Sequence, residues 1–204
     1  KNKQPYVMFT PFKNEWLKRV KDTDFKTYAV DLKKIIDLSE IKNANHTFHW
    51  DIQKIGFYPT ECIFKSGRKS ALECVKKFTN KINLYASERD FFAREGTSQL
   101  SIHLRFGTIS IREAFQFAKK FNSQGADTWI NELIWREFYK MILSQFPYVE
   151  QRAFKKECQF IQWENNEEYF DKWKQGMTGF PIVDAAMRHF NATGWMHNRL
   201  RMVV

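Results

Sequence analysis

Apolar residues recur at intervals of three and four along most of the chain, a spacing that predicts helices rather than strands. From Gly67 this spacing predicts one long helix that continues to Tyr85. A second helix is predicted over residues 111–118, and a third covers residues 129–141. The pattern therefore predicts a mainly α fold.

Proline and glycine mark the predicted ends of the later elements. Pro181 suits the first position of a helix, so a helix is predicted to run from there to Asn191. Gly194 interrupts the pattern, and a last helix is predicted to begin at Trp195.

The first sixty residues carry weaker signals. The segment PYVMFTPF is predicted to form a short strand that ends at Pro11, followed by a brief amphipathic turn. Residues 21–63 scatter single apolar residues among Lys, Asp and Asn, which indicates a linker or a loosely packed cover. No convincing strand follows Tyr58.

The helix predicted over residues 129–141 has two contrasting faces. At 100° per residue, one face carries Ile130, Ile134, Phe138 and Met141. An arc of roughly 120° on the other side carries Trp129, Glu132, Trp135, Arg136 and Tyr139. Glu132 and Arg136 could form an i,i+4 ion pair on a solvated face. The same face could instead form the wall of a pocket.

The segment TGWMHNRLRMVV carries similar chemistry. On a helix, Trp195, Asn198, Arg199 and Met202 would form one stripe of an aromatic ring, an amide, a cation and a thioether. If this stripe met the face that carries Trp135, the two would enclose a pocket with stacking walls and convergent polar groups. Taken together, the two segments favour a pocket over two solvated faces.

The stretch EGTSQLS offers hydroxyl groups and free amides at a predicted helix start. Thr97, Ser98 and Ser101 could bind a phosphate or pyrophosphate there. The same residue types also cap helices that bind no ligand.

Charge and cysteine content limit the classes of function. The chain has 204 residues, with 33 Lys and Arg against 23 Asp and Glu, and a net charge of +10. This basicity suits nucleic acid, although many Lys-rich chains bind none. Three cysteines without CxxC spacing indicate a reducing compartment, and no apolar run predicts a membrane span. His46 and His49 lack a third ligand, so no metal site is predicted.

Three long motifs identify a family. The segments YASERDFFAREGTSQLSIHLRFGTIS, WINELIWREFYKM and MTGFPIVDAAMRHFNATGWMHNRLRM, in this order and spacing, resemble the photolyase/cryptochrome family. The likeness is nearest to class I, bacterial-type cyclobutane pyrimidine dimer photolyases, and covers residues 64–204 well. It implies an FAD-binding helical domain over 64–204, an interdomain connection over 21–63, and the end of an α/β antenna domain over 1–20.

The resemblance implies an FAD site. Members of the family hold FAD in a bent shape and, after excitation by blue light, transfer an electron from reduced flavin to a dimer flipped out of DNA. The positions that match cofactor-binding residues are Tyr85, Thr97, Ser98, Gln99, Leu100, Ser101, Trp129, Glu132, Arg136, Asn198 and Arg201. Asn198 would face the flavin N5.

The resemblance also implies residues that act on the dimer and on DNA. Glu132 would hydrogen-bond the flipped pyrimidine, Trp135 would form an aromatic wall, and Met202 would cover the dimer; with Asn198 these are the implied catalytic residues. The implied DNA-binding residues are Arg89, Trp135, Tyr139, Trp195 and Arg199. Trp163 matches the outer member of the tryptophan relay that reduces the flavin.

Two family features would lie beyond Val204: the acidic loop that pairs with Arg201 and the inner relay tryptophans. The chain is therefore expected to be a fragment of a bacterial, cytoplasmic and monomeric enzyme that acts on UV-damaged DNA. An antenna chromophore of unknown identity is expected in the intact protein. A blue-light receptor of the cryptochrome type, which binds flavin without repair, is the main alternative. A flavin-free helical DNA-binding module is a third.

Overall fold

The computed structural model describes residues 4–26, 28, 31–34, 51–58 and 64–204. Within these ranges all regular elements are helical, which confirms the mainly α fold. The α-helices are α1 (Phe9–Arg19), α2 (Gly67–Thr79), α3 (Tyr85–Glu88), α4 (Ser101–Phe106), α5 (Ile111–Ala118), α6 (Gln124–Gln145), α7 (Glu167–Gln175) and α8 (Pro181–Thr193). Short 3-10 helices lie at Asp22–Phe25, Leu32–Lys34, Ile52–Ile55, Ile82–Leu84, Pro147–Glu150, Lys156–Phe160 and Leu200–Met202.

The strand predicted near the N-terminus is wrong. Residues 4–7 have irregular backbone and α1 begins at Phe9. Pro11 lies in the first turn of α1, where a missing N–H removes no intrahelical hydrogen bond. α1 packs Phe9 against Phe138 of α6, and Trp16 against Phe115 of α5. The domain boundaries drawn at residues 20 and 63 stay predictions.

The single long helix predicted from Gly67 to Tyr85 is interrupted. α2 ends at Thr79, and the chain continues through the 3-10 helix Ile82–Leu84 into the one-turn α3. The interruption brings the Ile82 backbone against α6, where a Cβ on Gly125 would lie only 2.1 Å from the Ile82 carbonyl oxygen. Close packing between backbones thus replaces a continuous helix.

α6 is the central element of the first hydrophobic core. Its N-terminus is capped by Ser123, whose Oγ accepts a hydrogen bond of 3.2 Å from the Ala126 amide. The helix contacts α1, α3, α5 and the 3-10 helix at Ile82–Leu84. Its buried side chains include Trp129, Ile130, Leu133, Ile134 and Phe138. The helix is therefore enclosed on several sides, as its two-faced pattern predicts.

A second, smaller core lies between α7 and α8. It contains Ala186, Met187 and Met196, with Trp173 and Leu200 packed against them. Asp184 in the first turn of α8 accepts hydrogen bonds from the Thr178 amide at 2.7 Å and the Gly179 amide at 3.0 Å. These bonds fix the loop before α8, which begins at Pro181 as predicted.

The last helix predicted from Trp195 is wrong. Residues 195–197 are irregular, and only Leu200–Met202 form a 3-10 turn. Side chains take the place of helical acceptors: Thr193 Oγ1 accepts from the Trp195 amide at 3.1 Å, and His197 Nδ1 accepts from the Arg199 amide at 3.1 Å. Across the described ranges, no helix combines the length and apolarity needed to cross a membrane.

Candidate functional site

A cavity of about 1040 Å³ opens between α6, the loop of residues 97–101 and the segment of residues 195–202. Every residue named above as a cofactor-binding, catalytic or DNA-binding candidate lines this cavity. The stripe of Trp195, Asn198, Arg199 and Met202 thus reaches the cavity although it lies on an irregular segment. Trp163 does not line it, and this side chain is 72% exposed.

The cavity wall is strongly basic. Its carboxylate is that of Glu132, and its cationic side chains are those of Arg89, Arg105, Arg136, Lys140, Arg199 and Arg201. Such an excess of positive charge favours an anionic ligand, because partial enclosure weakens the screening of the charges by water.

A chain of alternating charges crosses one side of the cavity. Arg89 Nη1 donates to Glu132 Oε1 at 2.6 Å, and Arg89 Nε lies 3.7 Å from Asp90 Oδ1. Arg199 Nε donates to the same Asp90 oxygen at 2.7 Å. Asp90 is a residue that the sequence analysis missed, and the Arg–Asp dipeptide itself carries no recognisable signal.

Glu132 and Arg136 do not form the i,i+4 ion pair that the sequence left open. Arg136 instead donates from Nη1 to Glu137 at 2.9 Å and from Nη2 to the Leu104 carbonyl at 3.3 Å. These bonds hold the Arg136 guanidinium against α4 at the edge of the cavity.

The loop of residues 97–101 is tied to α6 by a tryptophan. Trp129 is buried and donates from Nε1 to Ser98 Oγ at 3.3 Å. Gln99 has a φ of 54°, a left-handed conformation that turns the loop into α4, which begins at Ser101. Leu100 is buried beneath the loop and anchors it on the first core.

Aromatic rings form the outer part of the cavity. Trp135 stacks on Phe9 of α1 with a centroid separation of 3.5 Å and an interplanar angle of 6°. Its ring also stacks with Tyr139, at 5.6 Å. Phe9 is therefore a cavity residue that the sequence analysis missed, because it was placed on a strand of another domain.

Two buried titratable side chains line the inner wall. Burial, assisted by the nearby Glu132 carboxylate, raises the pKa of Tyr85 to about 12, so its phenol stays neutral at physiological pH. Burial of the His197 ring lowers its pKa, and the nearby Arg89 backbone and Asp90 carboxylate only partly oppose this effect. His197 Nε2 has no hydrogen-bond partner among the described residues.

The described part of the chain contains no cluster of potential metal ligands. There, no three side chains of His, Cys, Asp or Glu form a group that could hold an ion. His46 and His49, the pair considered in the sequence, lie outside the described residues.

Comparison with known proteins connects this cavity to one protein family. Residues 129–204 match the family described as the FAD binding domain of DNA photolyase. The chain is 37% identical over 212 residues to the deoxyribodipyrimidine photo-lyase of Escherichia coli K12, in an alignment that covers 99% of this chain and 43% of that protein. It is 44% identical over 152 residues to the deoxyribodipyrimidine photo-lyase of Neurospora crassa, covering 70% of this chain and 25% of the relative.

Solved structures of photolyases and of a cryptochrome have a similar fold. A bacterial class III photolyase from Agrobacterium tumefaciens superposes with a TM-score of 0.79 at 28% identity, covering 98% of this chain and 42% of that one. A cryptochrome from Synechocystis superposes with a TM-score of 0.65 at 25% identity, covering 71% and 33%. The chain spans less than half the length of these relatives.

Proposed function

Since this chain belongs to the DNA photolyase family, we propose that it supplies the FAD-binding part of an enzyme that repairs cyclobutane pyrimidine dimers with light. The observation that carries the proposal is the basic, aromatic-walled cavity of about 1040 Å³. This volume slightly exceeds the roughly 300–1,000 Å³ usual for ligand pockets, which suits a large ligand such as a dinucleotide.

The residues of the cavity fit FAD. Thr97, Ser98 and Ser101 offer hydroxyls to a pyrophosphate, and the surrounding cations offset its charge. Trp129 supplies a flat apolar surface for a ring system. Arg136, held by Glu137 and the Leu104 carbonyl, brings a fixed cation to the same wall.

FAD held here would, once reduced and excited by blue light, supply an electron to the dimer. The protein's part is to bring the two into contact in a site that excludes water. Glu132 would accept a hydrogen bond from the pyrimidine ring, with Arg89 holding its carboxylate in place. Met202 would cover the flipped bases, and Trp135, whose ring already stacks on Phe9 and Tyr139, would form the aromatic wall beside them. Extrusion of the dimer costs a few kcal/mol, and less at a damaged site.

Binding of DNA by the same surface is supported by charge. The chain carries a net charge of +10, and Arg199 and Tyr139 lie at the exposed edge of the cavity. Each phosphate neutralised by an arginine releases counterions, so affinity should fall steeply as salt is raised.

The first test is flavin retention. The purified chain is incubated with excess FAD and desalted, and its absorption spectrum is recorded. We expect retained flavin bands; a colourless protein would contradict the proposal.

The variant Ser101→Asp places a carboxylate in the loop of residues 97–101 while keeping a residue suited to a helix start. It should lower FAD affinity about tenfold or more through repulsion of the phosphates.

The control for this variant is Ser110→Asp. Ser110 is the N-cap of α5, its Oγ accepts from the Arg112 amide, and it does not line the cavity. Aspartate is an equally good N-cap, so the same charge is added at a helix start without a nearby cofactor. Flavin retention should be unchanged, and an equal loss in both variants would count against the phosphate site.

The second test separates repair from signalling, since the chain also superposes on a cryptochrome. The reduced, flavin-loaded chain is mixed with oligothymidine that contains cyclobutane dimers and is exposed to blue light. We expect absorbance at 260 nm to recover as the pyrimidine rings are restored. Flavin retention without any recovery would favour a light receptor.

A further inference from the structure

Asp90 is an acidic residue placed between two arginines that line the cavity proposed to receive DNA. It directly follows Arg89, the residue after α3, and its side chain is 58% exposed. Its Oδ1 accepts from Arg199 Nε at 2.7 Å and lies 3.7 Å from Arg89 Nε. A carboxylate at this position opposes the general attraction of the protein for phosphate, so its presence needs an explanation.

The two arginines differ in how freely they can meet a phosphate. The Arg89 side chain is only 14% exposed and already donates Nη1 to Glu132. The Arg199 side chain is 39% exposed, and within the described part of the chain its two Nη groups donate to no protein acceptor. Arg199 is thus held through Nε, while its two Nη groups remain available to bind a phosphate.

A guanidinium held in this way is preorganised for a phosphate. Arg binds phosphate best in a bidentate geometry, and a free side chain loses rotamer entropy when it adopts that geometry. The bond from Asp90 restricts the side chain before DNA arrives. The backbone of residue 199 is fixed as well, since its amide donates to His197 Nδ1 at 3.1 Å.

We propose that Asp90 is a positioning residue that makes DNA binding selective for a strand with a nucleotide flipped into the cavity. It holds Arg199 where the Nη groups meet the phosphate of such a strand, while its own negative charge weakens contact with undamaged duplex. Selectivity of this kind combines an attractive contact with a repulsive one. The inference rests on the proposed function and adds a residue to it.

The test compares binding of dimer-containing and undamaged duplexes of one sequence at fixed salt. In Asp90→Asn, affinity for undamaged DNA should rise a fewfold, because a negative charge is lost. The preference for dimer-containing DNA should fall about three- to tenfold, and the conservative variant Asp90→Glu should recover part of it. Flavin retention and thermal stability should stay close to those of the unsubstituted protein.

The matched control is Asp171→Asn on α7. Asp171 has a similar exposure of 54% and pairs at 2.6 Å with Lys174, a cation that does not line the cavity, whereas Arg199 does. The same change of charge there should leave the preference for dimer-containing DNA intact. An equal loss of preference in both variants would show a general charge effect and overturn the inference.

A double-mutant cycle tests whether Asp90 acts through Arg199. In the background of Arg199→Gln, Asp90→Asn should lower the preference less than it does in the unsubstituted protein, because only the repulsion of undamaged duplex is then left to lose. A full additional loss would overturn the inference, as would an Asp90→Asn protein that keeps the original preference. If the unsubstituted protein shows no preference at all for dimer-containing DNA, the proposed repair function fails, and the inference fails with it.

Discussion

Glu132 lines the cavity, and a hydrogen bond from Arg89 fixes the position of its carboxylate. Its carboxylate lies at 2.6 Å from Arg89 Nη1, and both side chains are largely enclosed. We expect Glu132→Ala to lower the rate of light-driven dimer reversal about tenfold or more, in line with the loss of a charge-assisted hydrogen bond. Flavin retention, read from the ratio of flavin to protein absorbance, should fall much less.

Glu113→Ala is the control for that variant, since Glu113 of α5 also pairs with an arginine, Arg68 at 2.9 Å, and does not line the large cavity. It should change dimer reversal little. Equal losses of reversal and of flavin in Glu132→Ala would contradict a role at the dimer.

His197 should make stability depend on pH. Burial lowers the pKa of its ring below the usual value of 6.5, whereas the unfolded chain regains the usual value. Below about pH 6.5 the unfolded state therefore binds a proton that the folded state resists, and the free energy of unfolding falls as the pH is lowered. Above that pH its contribution is fully present.

Urea unfolding at pH 7.5 and 5.5 checks this expectation. The unsubstituted protein should have a lower midpoint at pH 5.5, and His197→Gln should reduce the difference. His189→Gln, which changes the exposed histidine of α8, should keep it. A pH dependence that survives His197→Gln unchanged would assign the effect to other groups.

At the scale of single elements, periodicity predicted α5, the central part of α6 and α8, of which only α8 had its start predicted from a helix-start residue, Pro181. It gave no prediction for α7, although Asn166 caps its start and Gly176 follows its end.

The predicted strand was wrong because tertiary contacts decide that segment, and the predicted last helix was wrong because local side-chain hydrogen bonds compete with the helix. Stacking of Phe9 on Trp135 joins residues far apart in the chain. At the last segment, the bond from the Arg199 amide to His197 Nδ1 is a local alternative to the helical hydrogen bond, and periodicity does not reveal it.

The junction between α6 and the 3-10 helix Ile82–Leu84 should tolerate no side chain at Gly125. A Cβ there would lie 2.1 Å from the Ile82 carbonyl oxygen and 2.6 Å from that of Asn83, and backbone atoms cannot move aside cheaply. We expect Gly125→Ala to destabilise the protein by about 1–3 kcal/mol despite the better helix propensity of alanine.

Thermal unfolding followed by circular dichroism measures this effect. A loss of that size corresponds to a decrease in Tm of about 2–12 °C for a chain of this length. Gln124→Ala, at an exposed position in the same turn, should leave Tm almost unchanged. A Gly125→Ala protein as stable as the Gln124→Ala protein would mean that the two backbones are not in contact.

At the scale of the whole molecule, two separate cores meet around the cavity. The first is built on α6, and the second lies between α7 and α8. Beside the cores, the segment that follows α3 contacts the segment that follows α8 through Phe92 against His197 and through the Asp90–Arg199 bond. The sequence could predict a pocket between two helices of unusual composition. It could not predict that Arg89 and Asp90, from a third segment, would link the two sides.

Because residues from both cores line the cavity, a ligand that fills it should stabilise the molecule as one unit. FAD at 100 times its Kd should raise the free energy of unfolding by about 2.7 kcal/mol, since it binds only the folded state. For a chain of this length the corresponding rise in Tm is about 5–11 °C. Near- and far-ultraviolet circular dichroism should then report one coincident transition.

Ser101→Asp should lose the rise in Tm and Ser110→Asp should keep it. A rise in Tm that is equal in both variants would show that FAD binds away from the loop of residues 97–101, and no rise in either would show that this chain alone does not form the cofactor site.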